Sequence, residues 1–151
     1  MKVLFVCTGN ICRSPTAEGV LRHLAKSENL PIHVESRGTH GYHAGDAPDP
    51  RAQRHALKRG YDLSAQRAKQ VTLEDFERFD LIIAMDRSHL AALTAMCPPR
   101  LRAKVRLFKE GTDVPDPYYG GAAGFDSVLD LVEEVCRELL QEIKTKARTT
   151  S

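Results

Sequence analysis

A thiol, a guanidinium and a carboxylate outline the chemistry open to this chain. Cys7 and Arg13 bracket the run Cys7-Thr8-Gly9-Asn10-Ile11-Cys12-Arg13-Ser14, with Pro15 behind it, and Asp116 opens the distant run Asp116-Pro117-Tyr118-Tyr119-Gly120-Gly121. The first run joins the apolar stretch Val3-Leu4-Phe5-Val6 to a segment of helical periodicity. A loop that enters a helix aims its unpaired backbone N–H groups at one spot, and the helix dipole adds partial positive charge there. Such a spot holds a phosphate. Gly9 suits a tight turn and close approach of the backbone, while Asn10 tolerates left-handed dihedrals and can brace the loop with its amide. Arg13 supplies a planar fork for two phosphate oxygens. The field that draws in phosphate also stabilises a thiolate, which makes Cys7 a candidate nucleophile. Ser14 is placed either to donate to that sulfur or to cap the helix, and Pro15 fits the first helical position.

Attack of a thiolate on a phosphate ester leaves an oxygen that needs a proton, and a loop carboxylic acid above the cradle can provide it. Asp116 is the candidate, with Pro117 stiffening its approach and Tyr118 and Tyr119 walling an aromatic mouth. Standing alone, Asp-Pro before Gly-Gly reads as a turn, and a lone cysteine as a small buried apolar residue. The two runs together favour an anion site with a nucleophile and an acid. His40 and His43 read as a solvated, substrate-facing loop, because no close carboxylate or thiolate pair completes a metal set. No metal and no cofactor is expected. Asp86 reads as the cap of the following helix or as a partner of Arg13, the cap being the commoner role. Cys97 and Cys136 read as structural, and the cluster Arg100, Arg102, Lys104, Arg106 and Lys109 as a solvated face.

The elements that must hold these groups alternate between strand and helix patterns. Strands are predicted at Val3–Val6, Ile32–Ser36, Phe79–Met85 and Val105–Phe108. Helices are predicted at Pro15–Lys26, Arg51–Arg59 with Gly60 ending it, Asp86–Met96 before Pro98-Pro99, and Phe125–Ile143, whose apolar residues mark one face. Lys144 to Ser151 is basic and polar and is expected to fray. Such alternation implies a parallel α/β sheet, and ligands bind beyond the carboxyl ends of its strands. Cys7, Met85-Asp86 and the segment from Gly111 to Gly121 all fall at that edge.

At 151 residues the chain suits one domain, 1–151. A hydrophobic fraction of 42%, a charged fraction of 28% and a net charge of +2 are ordinary for a globular protein and carry no general nucleic-acid signal. No segment reads as a secretory leader or a membrane span, so cytoplasmic residence with no membrane partner is expected. The cysteines at 7, 12, 97 and 136 lack paired metal-ligand spacing and are expected as free thiols. A monomer or weak dimer is expected.

Taken together, Cys7 to Ser14 followed by Pro15-Thr16-Ala17-Glu18, then Gly38-Thr39, Asp49-Pro50-Arg51, Ala84-Met85-Asp86 and Asp116 to Gly120, resemble the low-molecular-weight protein tyrosine phosphatases. The resemblance runs over essentially the whole chain. It implies a four-stranded parallel sheet with helices on both faces and a metal-free reaction in two steps. Cys7 would attack phosphotyrosine to give a phosphocysteine, Arg13 would bind the phosphoryl group, and Asp116 would act as general acid and then base. Thr8, Gly9, Asn10, Ile11, Cys12 and Ser14 would bind substrate through the loop, with Asn10 and Ser14 ordering it, and Tyr42, Tyr118 and Tyr119 would line the mouth. The substrate implied is a tyrosine-phosphorylated protein, a tyrosine kinase among the candidates. Cys12 matches a second cysteine able to form a protective disulfide with Cys7. Three positions depart from the family pattern: Tyr42 stands where many members carry tryptophan, Gln66 where many carry histidine, and His89 where asparagine is common.

Two other readings use the same cradle. An arsenate reductase would need further cysteines placed to resolve its adduct, and only Cys97 lies in the middle of the chain. A phosphocarrier would pass on the phosphoryl group from Cys7, and a general acid at Asp116 opposes that role.

Overall fold

The computed structural model describes residues 1–117 and 121–150, with side chains through Lys146. Its centre is β1 (Lys2–Cys7), a run of apolar residues buried on both faces of the sheet. It pairs in parallel with β2 (His33–Gly38) on one side and β3 (Leu81–Ala84) on the other, and β3 pairs with β4 (Val105–Leu107). The strand order β2-β1-β3-β4 reverses direction at β1. Connections leaving β1 and β3 therefore depart to opposite faces and open a crevice between their carboxyl ends.

Alternation along β1 divides the core in two. Val3, Phe5 and Cys7 pack with Ile83 against α1 (Arg13–Ser27) and α5 (Ala122–Thr150), through Val20, Leu21, Leu129 and Val132. Leu4 and Val6 pack with Ile82 and Ala84 against α3 (Leu73–Arg78) and α4 (Arg87–Met96), through Phe76, Phe79 and Leu93. Helix α2 (Pro50–Lys58) lies against α5 and is capped by Asp49, whose side chain accepts from the Arg51 amide. Gly60 follows it with φ 91°, the left-handed stop that the sequence predicts.

Several boundaries move. α1 begins at Arg13, with Cys12 at its N-cap, so Pro15 is the third helical residue and Ser14 is inside the first turn instead of capping it. Proline is tolerated there because the first turn has no intrahelical acceptors for its amides. α5 continues to Thr150, and Lys144 pairs with Glu28 and Lys146 with Glu142. α3 and a 3₁₀ helix at Pro99–Lys104 carry too short a period to stand out in the sequence. No helix among the described residues is long and apolar enough to cross a membrane.

Candidate active site

Helix α1 starts six residues after β1 ends, and the loop between them folds into a cradle at the sheet's carboxyl edge. Asn10 makes the turn with φ 60°, so the left-handed residue is Asn10 and not Gly9. Gly9 matters for a different reason: a Cβ there would stand 2.9 Å from Cδ2 of His43 and would displace that side chain. The Asn10 side chain turns away from the crevice and is 3% exposed. Its Nδ2 donates to Ser14 Oγ at 2.9 Å and to Ser36 Oγ at 2.8 Å, and its Oδ1 accepts the Lys69 amide at 2.9 Å. Ser36 in turn donates to Glu18 at 2.7 Å. This chain of bonds fixes the strained turn from behind.

Cys7 ends β1 with Sγ 2.9 Å from Ser14 Oγ. The adjoining backbone is held by the sheet edge, where the Thr39 amide donates to Cys7 O at 2.8 Å and the His40 amide to Thr8 O at 3.0 Å. Arg13, 5% exposed, is tethered through Nη1, which donates to Asp86 Oδ2 at 2.8 Å and to Val114 O at 3.0 Å. Its Nη2 lies 3.7 Å from Asp116 Oδ2. Asp86 therefore fills both roles open to it, since its Oδ1 also accepts from the His89 amide at 3.0 Å and caps α4. Burial opposes its charge, but hydrogen bonds from Ser88, the His89 amide and Arg13 prevail and hold the carboxyl down at about 2. A firm carboxylate opposite Arg13 fixes the guanidinium plane.

Asp116 comes to the site on the segment after β4. The Val114 amide donates to Met85 O at 2.9 Å, which docks that segment on the end of β3. The Asp116 side chain remains 43% exposed at the rim. Cys7, Thr8, Gly9, Ile11, Cys12, Arg13, Tyr42, His43 and Asp116 line one cavity of about 250 Å³. Of the expected site residues, Asn10 and Ser14 stand behind this lining, and Tyr118 and Tyr119 lie outside the described residues. Tyr42 is 77% exposed and stacks on His40 with ring centroids 4.9 Å apart.

Cys12 is unlike Cys7. It is buried against Ala52 and Phe125, and burial, with Asp49 and Cys7 nearby, pushes its thiol well up. All four cysteines are free and buried, with Cys97 and Cys136 in the two core clusters. Among the described residues no group of three or more His, Cys, Asp or Glu side chains is placed to hold a metal ion.

Sequence reasoning missed four supports of the site: Ser36, the Val114 carbonyl, the Lys69 amide and His89. Ser36 and Lys69 belong to segments that meet the cradle only in the folded sheet. His89 carried a signal, three residues after Asp86, where a cap's partner sits.

A thiol at the floor, an arginine tethered beside it and a carboxylate at the rim thus meet in one cavity at the switch point of a parallel sheet. The chain belongs to the low molecular weight phosphotyrosine protein phosphatase family, whose model matches residues 2–149. It is 42% identical to a low molecular weight protein-tyrosine-phosphatase of Streptomyces coelicolor, over 95% of this chain and 93% of that one. Its fold is similar to the crystal structure of a protein tyrosine phosphatase from Entamoeba histolytica, with a TM-score of 0.93 and 37% identity over 97% of this chain and 99% of that one. It is also similar to the YwlE arginine phosphatase, in a Cys→Ser variant whose active-site serine is phosphorylated, with a TM-score of 0.91 and 32% identity over 98% and 99% of the two chains. The names of the protein-tyrosine-phosphatase relatives agree with a phosphomonoester hydrolase.

Proposed function

We propose that this protein hydrolyses phosphotyrosine in proteins through a phosphocysteine on Cys7, with Arg13 binding the phosphoryl group and Asp116 as general acid and base. The observation that supports this is the convergence of Cys7, Arg13 and Asp116 on a single cavity. The thiolate of Cys7 attacks phosphorus, forming the S–P bond as the P–O bond to the phenol breaks, and Asp116 gives its proton to the departing oxygen. Asp116, now a carboxylate, takes a proton from water as that oxygen bonds phosphorus, and the S–P bond breaks to return the thiolate. Arg13 stabilises the charge on the equatorial oxygens throughout, held in plane by Asp86 and Val114.

Two competing chemistries are addressed by the surroundings. Cys97 and Cys136 sit in the core, 2% and 0% exposed, which speaks against a cysteine relay. Phosphoarginine, the substrate class for which the YwlE relative is named, would place a guanidinium against the apolar wall of Ile11 and Tyr42, a surface better matched to a phenyl ring. The test is phosphate release from phosphotyrosine and phosphoarginine peptides by the native enzyme and by Cys7→Ser. Release from phosphotyrosine alone, abolished in Cys7→Ser, is expected; turnover retained by that variant, or confined to phosphoarginine, overturns the reading.

A further inference from the structure

Behind the cradle, His89 is 2% exposed and pressed against two residues of the cavity wall. Its Nε2 lies 2.7 Å from Thr8 Oγ1 and 3.5 Å from Arg13 Nη2. Its Nδ1 faces the Asp86 amide at 3.2 Å. We propose that His89 is a positioning residue that commits the Thr8 hydroxyl as a hydrogen-bond donor to the oxyanion in the cradle. The proposal rests on the phosphatase reading only in requiring that an oxyanion occupies the cavity.

The proton positions follow from the partners. Nδ1 accepts the Asp86 amide, so the hydrogen of the neutral ring is assigned to Nε2. Asp86 Oδ1 is also 3.2 Å from Nδ1, but that oxygen is taken by the Ser88 hydroxyl at 2.5 Å and the His89 amide at 3.0 Å. Nε2–H then donates to Thr8 Oγ1. Arg13 Nη2, a donor only, stands 3.5 Å from the same oxygen. A hydroxyl approached by two donors accepts from both, and its own hydrogen must find an acceptor elsewhere. Thr8 lines the cavity beside Cys7 and Arg13, so that hydrogen points to where phosphoryl oxygens bind. Burial and the Arg13 charge keep the imidazole neutral by lowering its pKa to about 4, which preserves this arrangement at neutral pH. An asparagine amide keeps the acceptor toward Asp86 and turns a shorter donor toward Thr8; leucine presents neither.

The experiment measures orthovanadate affinity and kcat/KM on p-nitrophenyl phosphate for His89→Asn, His89→Leu, Thr8→Val and the double variant His89→Leu/Thr8→Val. Loss of one charge-assisted hydrogen bond predicts roughly tenfold weaker vanadate binding in His89→Leu and in Thr8→Val, no further loss in the double variant, and a smaller loss in His89→Asn. Nitrogen-15 shifts of His89 at neutral pH should report the Nε2-protonated neutral ring. Native vanadate affinity in Thr8→Val, additive losses in the double variant, or an Nδ1-protonated ring each overturn the proposal. Thr8→Val and the ring shifts decide the matter even if His89→Leu does not fold. Because vanadate binding is read directly, an enzyme that bound vanadate as expected but released no phosphate from phosphotyrosine would defeat the phosphatase reading and leave this one standing.

Discussion

Asp86 holds Arg13 with one carboxylate oxygen and starts α4 with the other: Oδ2 is 2.8 Å from Arg13 Nη1, and Oδ1 accepts the His89 amide at 3.0 Å. One residue thus joins the orientation of the Arg13 guanidinium to the stability of a helix. Asp86→Ala should lower kcat/KM on p-nitrophenyl phosphate about 100-fold through misplacement of Arg13. It should also cost about 1 kcal/mol of stability through loss of the cap. Steady-state kinetics and urea unfolding separate the two effects. Asp86→Asn, which can still cap, should recover the stability and little of the rate.

Asp116 reaches the rim on a segment pinned at Val114, within 3.7 Å of Arg13. Asp116→Asn should reduce kcat on phosphotyrosine roughly 100-fold or more, the usual contribution of a general acid. The loss on p-nitrophenyl phosphate should be smaller, because nitrophenolate departs with less need of a proton. Equal losses on both substrates would show that the carboxylate acts in another way.

Acid should destabilise the fold in two stages. His89 has its pKa lowered from 6.5 to about 4, so the unfolded chain binds the proton more tightly. Its contribution is complete above about pH 6.5 and is lost as pH falls toward 4, amounting to about 3 kcal/mol at most. Asp86 and Glu35, both held at about 2, lose their contributions below their ordinary carboxylate range, as pH falls through about 2. Urea midpoints from pH 7 to pH 3 should decline through the first window in the native protein and stay flatter there in His89→Asn.

Gly38 closes β2 against the cradle, where an added Cβ would meet Thr8 O at 2.7 Å and His40 O at 2.9 Å. Both are backbone atoms and neither can swing aside. Gly38→Ala should therefore cost about 1–3 kcal/mol and weaken vanadate binding together with it. Thermal unfolding and vanadate titration of one preparation check the pairing.

The parallel sheet was legible because β1 is an unbroken apolar run and α5 repeats its apolar face for five turns. Cys7, Arg13 and Asp116 stood out as candidates because their two runs agree on one chemistry, although Cys7 or Asp116 alone has a blander reading, and the fold brings all three to one cavity. The short helix Leu73–Arg78 was not, since six residues offer less than two turns of pattern. The Glu18–Ser36–Asn10–Ser14 chain was hidden for another reason: its members lie up to 26 residues apart, and only strand pairing brings them together. His89 fell between these cases, visible as a helix-start residue but without a sign that its ring reaches Thr8.

Ala68 and Lys69 are neighbours in sequence that grip opposite ends of the pocket. The Lys69 amide holds Asn10 beneath the cradle, while Ala68 accepts from the Gly45 amide and donates to Asp46 O in the loop that carries Tyr42 and His43. Floor and brim are thereby hung from a single stretch of backbone, and the distance between them is gauged by the bonds that this stretch makes. Side chains at the brim can be exchanged for others while that distance stays the same.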